Sequence, residues 1–467
     1  MLQVFGKPYR HCDGISRRNF LTAGATGIAG LTLADLLRAE AQAGIGSSEK
    51  AVINIHLDGG PPQMDMFDMK PNAPTEIRGE FNPIQTKLSD LQICELMPRV
   101  ATIADKFTFI RSLVGSVGAH DAFQCQTGYP KSNLKSLGGR PAMGCVISKL
   151  RGSTNDVSPS FVDMMQGRPL VRHSARPGFL GPAYKPFRPD MSKMFKRELE
   201  PGMKKELKAQ GANHTIELKL NQALSAGRLN NRSQLLGKLD GLKRDIDSTG
   251  MMDALDRFNQ QAVGILTSGR FADAMNLSKI DPATLARFTC PVKAGHITSD
   301  DGKATQKLLL ARRLVEAGVR CVSVTFADFD THSKNFPRMR QMLPIVDFGL
   351  HALITDLEQR GMLDNVSIVI WGEFGRTPRI DAKTGGRHHW PRVGPAMLAG
   401  GGMKVGQIIG STDKIAGTAT SRPVHYQDVF ATLYHNMGIN TATTTIVDTT
   451  GRPQYLLERG KVIREVV

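Results

Sequence analysis

Short apolar runs of β-forming residues recur along the chain, and turn residues or polar clusters follow them. They cover residues 52–57, 107–110, 321–326, 366–371 and 396–399. Segments with helical apolar spacing, at residues 306–317 and 351–360, precede the third and fourth runs. Helices that alternate with buried strands are typical of βαβ units. The pattern therefore predicts an α/β fold with a mostly parallel central sheet.

The pattern changes between residues 196 and 280, where strand signals vanish. Residues 233–246 instead place apolar side chains at helical spacing, with charged residues between them. We expect a helical insert here, in which residues 231–250 form a long amphipathic helix whose apolar stripe packs in the core. We expect an irregular connection over residues 281–302 and a helix over residues 427–437.

The first 43 residues have the order of parts that an export signal needs. Arg17 and Arg18 stand directly before an apolar stretch at residues 20–37, and residues 41–43 read Ala-Gln-Ala, as a signal peptidase site requires. Asp35 and the many glycines speak against a membrane anchor, which needs about 20 mainly apolar residues. The sequence predicts a twin-arginine signal, export by the Tat machinery, and a periplasmic or extracellular domain over residues 44–467. We expect no membrane span in the mature chain.

The charge of the chain favours anionic partners. The formal net charge is +17, and removal of the signal, with its five basic and three acidic residues, leaves +15. Phosphate esters, sulfate esters and acidic polysaccharides suit such a protein, as does a generally basic, soluble surface with no specific partner. No nucleic-acid-binding module is recognisable. The cysteines show no C-x-x-C spacing, so they indicate neither a zinc ribbon nor a redox motif.

Four polar clusters follow the predicted strands. Because parallel strands bring their carboxyl ends to one edge of a sheet, residues far apart in sequence can converge there. Carboxylates and imidazoles together are ligands for Zn²⁺ and other divalent metals. Turn and helix-capping residues beside a surface histidine pair are the alternative interpretation. The clusters are Asp58-Gly-Gly, Asp328 to His332, Gly372 to Pro378, and Gly385 to Trp390.

Two arginines and a tryptophan lie within these clusters. Arg376 and Arg387 could each hold a phosphate or sulfate with a planar guanidinium, or form a structural ion pair instead. Trp390 could form a wall of the site, although tryptophan is more often a core residue.

Several stretches together resemble one bacterial protein family. They are Leu57 to Asp68, Leu309 to Arg320, Asp330-Thr-His332, Trp371-Gly-Glu-Phe-Gly-Arg-Thr-Pro378, Gly386 to Pro391, Leu398 to Gly402, and the tail from Arg422 to Tyr434. The chain resembles the family of domain of unknown function 1501, an exported branch of the alkaline phosphatase and sulfatase superfamily. The resemblance covers almost the whole chain after the signal.

The resemblance implies a three-layer sandwich, with a central sheet flanked by helices and divalent metal (Zn, Mn or Ca) at the strand ends. It implies five metal ligands: Asp58, Asp330, His332, Glu373 and His389. Asp328 has the alternative spacing to His332, so the choice between Asp328 and Asp330 stays open.

Two positions depart from the family pattern. His388 stands where the family usually has aspartate, which changes the metal preference or makes His388 an orienting group. In the region that supplies the nucleophile of superfamily hydrolases, Ser116 is the candidate, with an ordinary loop serine as the alternative. Cys125 lacks the sequence context for conversion to formylglycine.

Two functions follow from these observations. The first is a metal-dependent hydrolase of phosphate or sulfate esters, acting on anionic polysaccharide, in which Ser116 or activated water attacks and Arg376 holds the transferred group. The second is a non-catalytic extracytoplasmic binding or scaffold protein that keeps the fold. The uncertain nucleophile and His388 favour the second.

Overall fold

The apolar runs pair into one central sheet in a computed structural model of the protein. The structure describes residues 49–134, 138–153, 156, 158–171, 175–192, 194–195, 201–209, 269–293, 295 and 298–467. Within them, Glu49–Met437 and Thr441–Val467 belong to one compact unit.

The strands of the described residues vary in length from two to eight residues. In chain order they are β1 (Ala51–Leu57), β2 (Pro83–Gln85), β3 (Gln92–Cys94), β4 (Phe107–Val114), β5 (Phe161–Met164), β6 (Cys321–Phe326), β7 (Val366–Trp371), β8 (Gly375–Arg376), β9 (His389–Trp390), β10 (Gly394–Gly400), β11 (Gln407–Ile409), β12 (Ser411–Thr412), β13 (Ala419–Ser421), β14 (Val424–His425), β15 (Thr445–Val447) and β16 (Pro453–Tyr455).

The α-helices are mostly short, apart from one of 25 residues. They are α1 (Thr75–Arg78), α2 (Pro98–Thr102), α3 (Phe123–Thr127), α4 (Met143–Arg151), α5 (Arg168–Val171), α6 (Pro201–Ala209), α7 (Arg270–Met275), α8 (Pro282–Arg287), α9 (Gln306–Glu316), α10 (Asn335–Gln359) and α11 (Tyr426–Asn436). Single 3₁₀ turns lie at Gln63–Asp65, Ala104–Lys106, Lys131–Leu134, Gly178–Leu180, Pro182–Tyr184, Leu277–Lys279, Gly302–Thr305 and Leu363–Asn365.

The central sheet has the strand order β11-β4-β10-β7-β1-β6-β5, and β14 pairs with β4. In this sheet β10 runs antiparallel to its neighbours, while the other pairs are parallel. In the register of the central strands, His56 of β1 lies opposite both Thr325 of β6 and Trp371 of β7. Three strands therefore end at the same level, and the polar residues that follow them meet at one edge.

Helices cover both faces of the sheet. Alternate residues of β1, namely Ile53, Ile55 and Leu57, pack in the same core as α9 and α10. Asn54 points to the other face, where it donates to the Cys125 carbonyl of α3 at 3.1 Å and accepts from the Trp371 indole at 2.9 Å. The predicted three-layer α/β sandwich with a mostly parallel central sheet is thus confirmed.

The predicted elements agree with the structure except in length and at one connection. β1, β6 and β7 lie where the apolar runs predicted them, whereas β4 and β10 extend further. The helix predicted over residues 351–360 is the end of α10, which begins at Asn335 and contains Pro344. The prediction of an irregular connection over residues 281–302 was wrong at its start. There Asp281 caps α8 by accepting from the amides of Ala283 and Thr284.

The helical insert predicted over residues 196–280 lies largely outside the described residues, as does the long helix predicted over 231–250. α6 and α7 fall within its bounds, and the insert itself stays a prediction. The predicted signal at residues 1–43 is also outside them. Among the described helices, none combines the length and the apolar character needed to cross a membrane.

A buried ion pair fastens the loop between β8 and β9 to the segment that follows β1. Arg387 donates from Nε and Nη2 to the two carboxylate oxygens of Asp65, at 2.8 and 2.9 Å. It also donates to the carbonyls of Thr377, Pro378 and Ile77. Neither side chain of the ion pair is exposed to solvent. Of the two roles considered for Arg387, the structure therefore supports the ion pair and not the binding of a phosphate or sulfate.

We expect Asp65→Asn to lower the free energy of unfolding by about 3–5 kcal/mol, because it leaves a buried guanidinium without its counter-charge. Urea unfolding measures the change. The control is Glu80→Gln, which breaks the exposed 2.7 Å pair with Arg340 and should cost less than about 1 kcal/mol. Equal losses in the two variants would contradict this role for the buried pair.

Candidate metal centre

Four side chains, from two loops and the short strand β9, converge at the edge where the strands of the central sheet end. Asp330 and His332 follow β6, His389 lies in β9, and His120 lies in the loop after β4. Each offers one ligating atom, and these atoms all lie within 4.8 Å of one another. We call His120, Asp330, His332 and His389 the outer group.

The contacts within the outer group are short. Nε2 of His389 lies 2.8 Å from Nε2 of His120 and 2.9 Å from Nε2 of His332. The Asp330 carboxylate lies 3.1 Å from Nε2 of His120 and 3.2 Å from Nε2 of His332. The same nitrogen of three imidazoles therefore faces one point beside a carboxylate.

The other ring nitrogen of two of these histidines has a partner that fixes the tautomer. Nδ1 of His389 lies 2.8 Å from the Gly118 carbonyl, which can only accept, so the proton is on Nδ1. Nδ1 of His120 lies 3.0 Å from Oε1 of Glu373. Arg168 Nη1 is 3.2 Å from the same nitrogen, but the buried negative charge of Glu373 is nearer and favours a proton on Nδ1. Both histidines can therefore direct an Nε2 lone pair inwards once that nitrogen carries no proton.

This arrangement fits a divalent metal. Tetrahedral ligands about 2.0 Å from zinc lie about 3.3 Å from one another, which is close to the separations in the outer group. Nitrogen lone pairs at 2.8–2.9 Å repel unless a cation or a proton lies between them. Glu373 then has the role of a carboxylate that orients a ligating histidine through its second nitrogen.

A second group of possible ligands lies deeper in the protein. His56, Asp58 and Glu373 are all buried and bring ligating atoms within 4.8 Å of one another. Among the residues that the structure describes, none is a hydrogen-bond partner for either nitrogen of His56 or for Oε2 of Glu373, although Nε2 and Oε2 are 3.4 Å apart. Buried polar atoms without partners are costly, and an ion would satisfy them. We call these three residues the inner group.

Charges at the centre shift several pKa values. Burial opposes a charge on His120, but hydrogen bonds to Asp330 and Glu373 outweigh it and raise the pKa of His120 to about 9. Burial likewise opposes ionisation of Asp330, yet His120 and Arg168 hold the pKa of this carboxyl well below its usual range. Burial and the nearby charge of His120 lower the pKa of His389 to about 4. Without metal, one proton on His120 thus balances the cluster at neutral pH.

All five predicted metal ligands lie in these two groups. Asp330, His332 and His389 are in the outer group, and Asp58 and Glu373 are in the inner group. Of the two open aspartates, Asp330 is in the cluster. Asp328 instead accepts from Arg338 and Thr298, both at 3.0 Å.

Two members of these groups, His120 and His56, were not predicted from the sequence. His120 lies in a loop where we expected a nucleophile, although a histidine that follows a strand was itself a signal. His56 lies inside β1, and only the structure shows that its side chain lies beside Asp58 and Glu373.

The two predicted catalytic residues, Ser116 and Arg376, donate hydrogen bonds to backbone carbonyls. Ser116 Oγ donates to the backbone carbonyl of Glu373 at 2.6 Å and accepts from the Gly118 amide at 3.2 Å. Arg376 is fully buried, donates to the carbonyls of Gly59, Gly60 and Arg387, and donates to Asp330 at 2.7 Å. Arg376 therefore organises the strand-end loops and orients Asp330.

Arg168 is a second arginine in contact with the outer group. Its Nη2 donates to Asp330 at 3.0 Å, and its Nη1 is 3.8 Å from Asp58. It is 6% exposed. It adds a fixed positive charge beside both groups.

Trp390 and His388 lie at the rim. Trp390 is half-buried and donates to the Gly417 carbonyl at 2.6 Å. The guanidinium of Arg392 stacks over its ring in a cation–π contact. His388 contacts His332 through Nδ1 of both rings, 2.9 Å apart.

The fold and the site define an α/β protein with a histidine- and aspartate-rich group, able to hold a metal ion, at the carboxyl edge of its sheet. Residues 49–467 match the model of the family described as protein of unknown function (DUF1501). The chain belongs to this family, as its sequence motifs predicted. A comparison with curated proteins finds no match.

Solved structures with low similarity include three enzymes. The PsFucS1 sulfatase from Pseudoalteromonas sp. has 11% identity and a TM-score of 0.36, with 86% of this chain and 70% of that chain covered. The lipoteichoic acid synthase LtaP from Listeria monocytogenes has 11% identity and a TM-score of 0.35, covering 85% and 73%. The phosphonate monoester hydrolase SpPMH from Silicibacter pomeroyi has 12% identity and a TM-score of 0.31, covering 89% and 76%. At these TM-scores the likeness carries no argument about activity.

A metal that enters the outer group must displace the proton of His120, whose pKa is about 9. We expect release of about one proton per Zn²⁺ at pH 7, and an apparent affinity that falls about tenfold for each pH unit below 9. Calorimetric titrations in buffers of different ionisation enthalpy count the protons. Metal binding without proton release would show that His120 carries no displaceable proton at pH 7, which would contradict its raised pKa.

Proposed function

We propose that this chain is an exported, metal-dependent hydrolase of phosphate or sulfate esters, with anionic polysaccharide among its substrates. The observation that supports this most strongly is the outer group, in which three imidazole nitrogens and one carboxylate face a single point. Such ligands hold a metal that polarises an ester oxygen and neutralises charge as it develops.

The metal in the outer group would be held by His120, His332, His389 and Asp330. Three nitrogen ligands and one oxygen favour zinc over manganese and calcium, which prefer oxygen ligands. The inner group, with Asp58 and Glu373, is the proposed place for a second ion. Glu373 has a further role through Oε1, because it accepts from His120 and from the Gly59 amide at 2.9 Å.

Arg168 suits an anionic substrate better than Arg376 does. The donors of Arg376 are directed to three backbone carbonyls and Asp330. Arg168 also donates to Asp330, but its guanidinium lies 3.8 Å from Asp58 as well, beside both groups of possible metal ligands, where an ester anion would approach. We propose that Arg168 attracts and orients the phosphate or sulfate group, and that Arg376 positions Asp330.

The nucleophile is either Ser116 or water. Ser116 Oγ would have to release the Glu373 carbonyl before it could attack. Attack by water requires no change in this loop.

The proposed export is based on the signal motif at residues 1–43, and the proposed polyanionic substrate is based on the formal charge of +17 for the whole chain.

A non-catalytic binding protein is the second candidate. It is favoured by the engagement of Ser116 and Arg376 with the backbone, since these are the two residues that the sequence suggested for chemistry. Such a protein would keep a structural metal and bind an anionic glycan without turnover.

Metal content tests the proposal first. Protein purified without a metal-affinity tag should hold near-stoichiometric metal, whereas His120→Ala and His389→Ala should lose it because each removes one of the ligands. The control is His435→Ala, which removes an exposed imidazole near the end of α11 that is not a member of the outer group. Elemental analysis of all four proteins measures the outcome. Equal metal in all four would contradict the outer group as the metal centre.

Turnover separates the two candidate functions. We expect the metal-loaded protein to cleave an aryl phosphate or an aryl sulfate, with a loss of at least about 100-fold in kcat/KM for Arg168→Ala because the anion loses its counter-charge. Steady-state kinetics measure this, with Arg340→Ala as a control that removes an exposed arginine. Protein that holds metal but turns over neither ester would reject the hydrolase and favour the binding protein.

A further inference from the structure

The third histidine of the outer group is oriented by a chain of polar groups that leads to the surface. His332 Nδ1 lies 2.9 Å from Nδ1 of His388, and Nε2 of His388 lies 3.3 Å from Oδ2 of Asp381. His388 and His332 are about half exposed, with side chains 49% and 46% accessible. The chain therefore runs from solvent to the metal-facing nitrogen of His332.

Asp381 is the last residue of this series of hydrogen bonds, and its carboxylate is held in place. Its Oδ1 accepts from the amides of Lys383 and Thr384, at 2.9 and 2.8 Å. The Thr384 hydroxyl lies 3.1 Å from the same oxygen and 2.8 Å from the His332 carbonyl, which is the nearer acceptor for its one proton. Two backbone amides thus hold one carboxylate oxygen, and the other oxygen faces His388. An ionised carboxylate only accepts hydrogen bonds, so Nε2 of His388 must carry the proton.

The proton on Nε2 determines the next contact. A neutral imidazole has one N–H, so Nδ1 of His388 is an acceptor. Since the two Nδ1 atoms are 2.9 Å apart, His332 must supply the proton between them. His332 then has its proton on Nδ1 and a lone pair on Nε2, the nitrogen that lies 2.9 Å from His389 and 3.2 Å from Asp330.

We propose that Asp381 and His388 are positioning residues, which hold His332 in the tautomer that can bind the metal. The inference rests on the metal centre of the proposed function. Neither residue touches the metal-facing atoms; they act through His332. For His389 and His120 a single acceptor faces Nδ1, namely the Gly118 carbonyl and the Glu373 carboxylate respectively. For His332 the acceptor is the imidazole of His388, which Asp381 orients in turn.

Asp381→Asn is the sharpest test because its outcome follows from the geometry. The two backbone amides that donate to Oδ1 keep the amide oxygen in place, so the amide nitrogen faces Nε2 of His388 and donates to it. His388 must then carry its proton on Nδ1, and His332 must accept there. The proton of His332 moves to Nε2, which can no longer bind a metal.

His388→Asp is the conservative variant that should rescue binding. A carboxylate oxygen of aspartate occupies about the position of Nδ1 in histidine and accepts from His332 directly. His388→Phe keeps the ring but removes the acceptor. Lys383→Ala is the control, because it changes an exposed side chain in the same turn while the Lys383 amide still donates to Asp381.

Co²⁺ binding gives a readout that does not depend on turnover. We expect Asp381→Asn and His388→Phe to bind Co²⁺ about 10- to 100-fold more weakly than wild type, the range typical for groups that orient a ligand. Their visible spectra should change, whereas His388→Asp and Lys383→Ala should stay within about threefold of wild type. Wild-type affinity and spectrum in Asp381→Asn would overturn the inference.

A measurement without metal distinguishes this inference from the metal centre itself. Nitrogen-15 NMR of the metal-free protein should report a larger Nδ1-protonated fraction of His332 in wild type than in Asp381→Asn. Identical tautomers in both proteins would overturn the positioning role even if Co²⁺ binds. A wild-type protein that binds no Co²⁺ would instead overturn the metal centre of the proposed function and the positioning role with it.

Discussion

The close approach of three imidazole nitrogens and one carboxylate is the interaction on which the rest of the structure depends. At 2.8–2.9 Å the Nε2 atoms of His120, His332 and His389 cannot all present lone pairs to one another without a positive charge between them. In the metal-free protein the proton on His120 separates its Nε2 from that of His389, and a metal ion on loading would separate all three nitrogens. The surrounding hydrogen bonds have one common effect, which is to direct Nε2 of these rings inwards.

The scaffold keeps this cluster in place through register and buried charge. β1, β6 and β7 end at the same level, so the residues after them share one edge. Arg376 and Arg387, both without solvent exposure, then attach the loops around β8 and β9 to that edge through carbonyls and carboxylates. Buried guanidiniums with several acceptors are rigid anchors, since removing a partner leaves a charge uncompensated. The same two arginines are therefore organisers of the site.

Much of the fold could be predicted from sequence, because three central strands are mainly apolar, buried runs with polar residues directly after them. On that ground the carboxylate at the end of β1 and the polar residues after β6 and β7 could be placed at one edge of the sheet, whereas their roles as metal ligands were implied by the family resemblance. The role of Arg376 could not be predicted, since Gly59 and Gly60 are more than 300 residues away in sequence. Nor could the length of α10, because Pro344 is a helix-breaking signal that tertiary packing overrides. His120 required a loop geometry that residue spacing does not encode.

Anomalous diffraction from crystals of the zinc-loaded protein tests the metal centre most directly. We predict an anomalous peak at the zinc edge between the Nε2 atoms of His120, His332 and His389 and the Asp330 carboxylate, about 2.0–2.2 Å from each. A second peak between His56, Asp58 and Glu373 would agree with the inner group as an additional site. Zinc-loaded crystals without a peak in the outer group would contradict the assignment of these four residues as metal ligands.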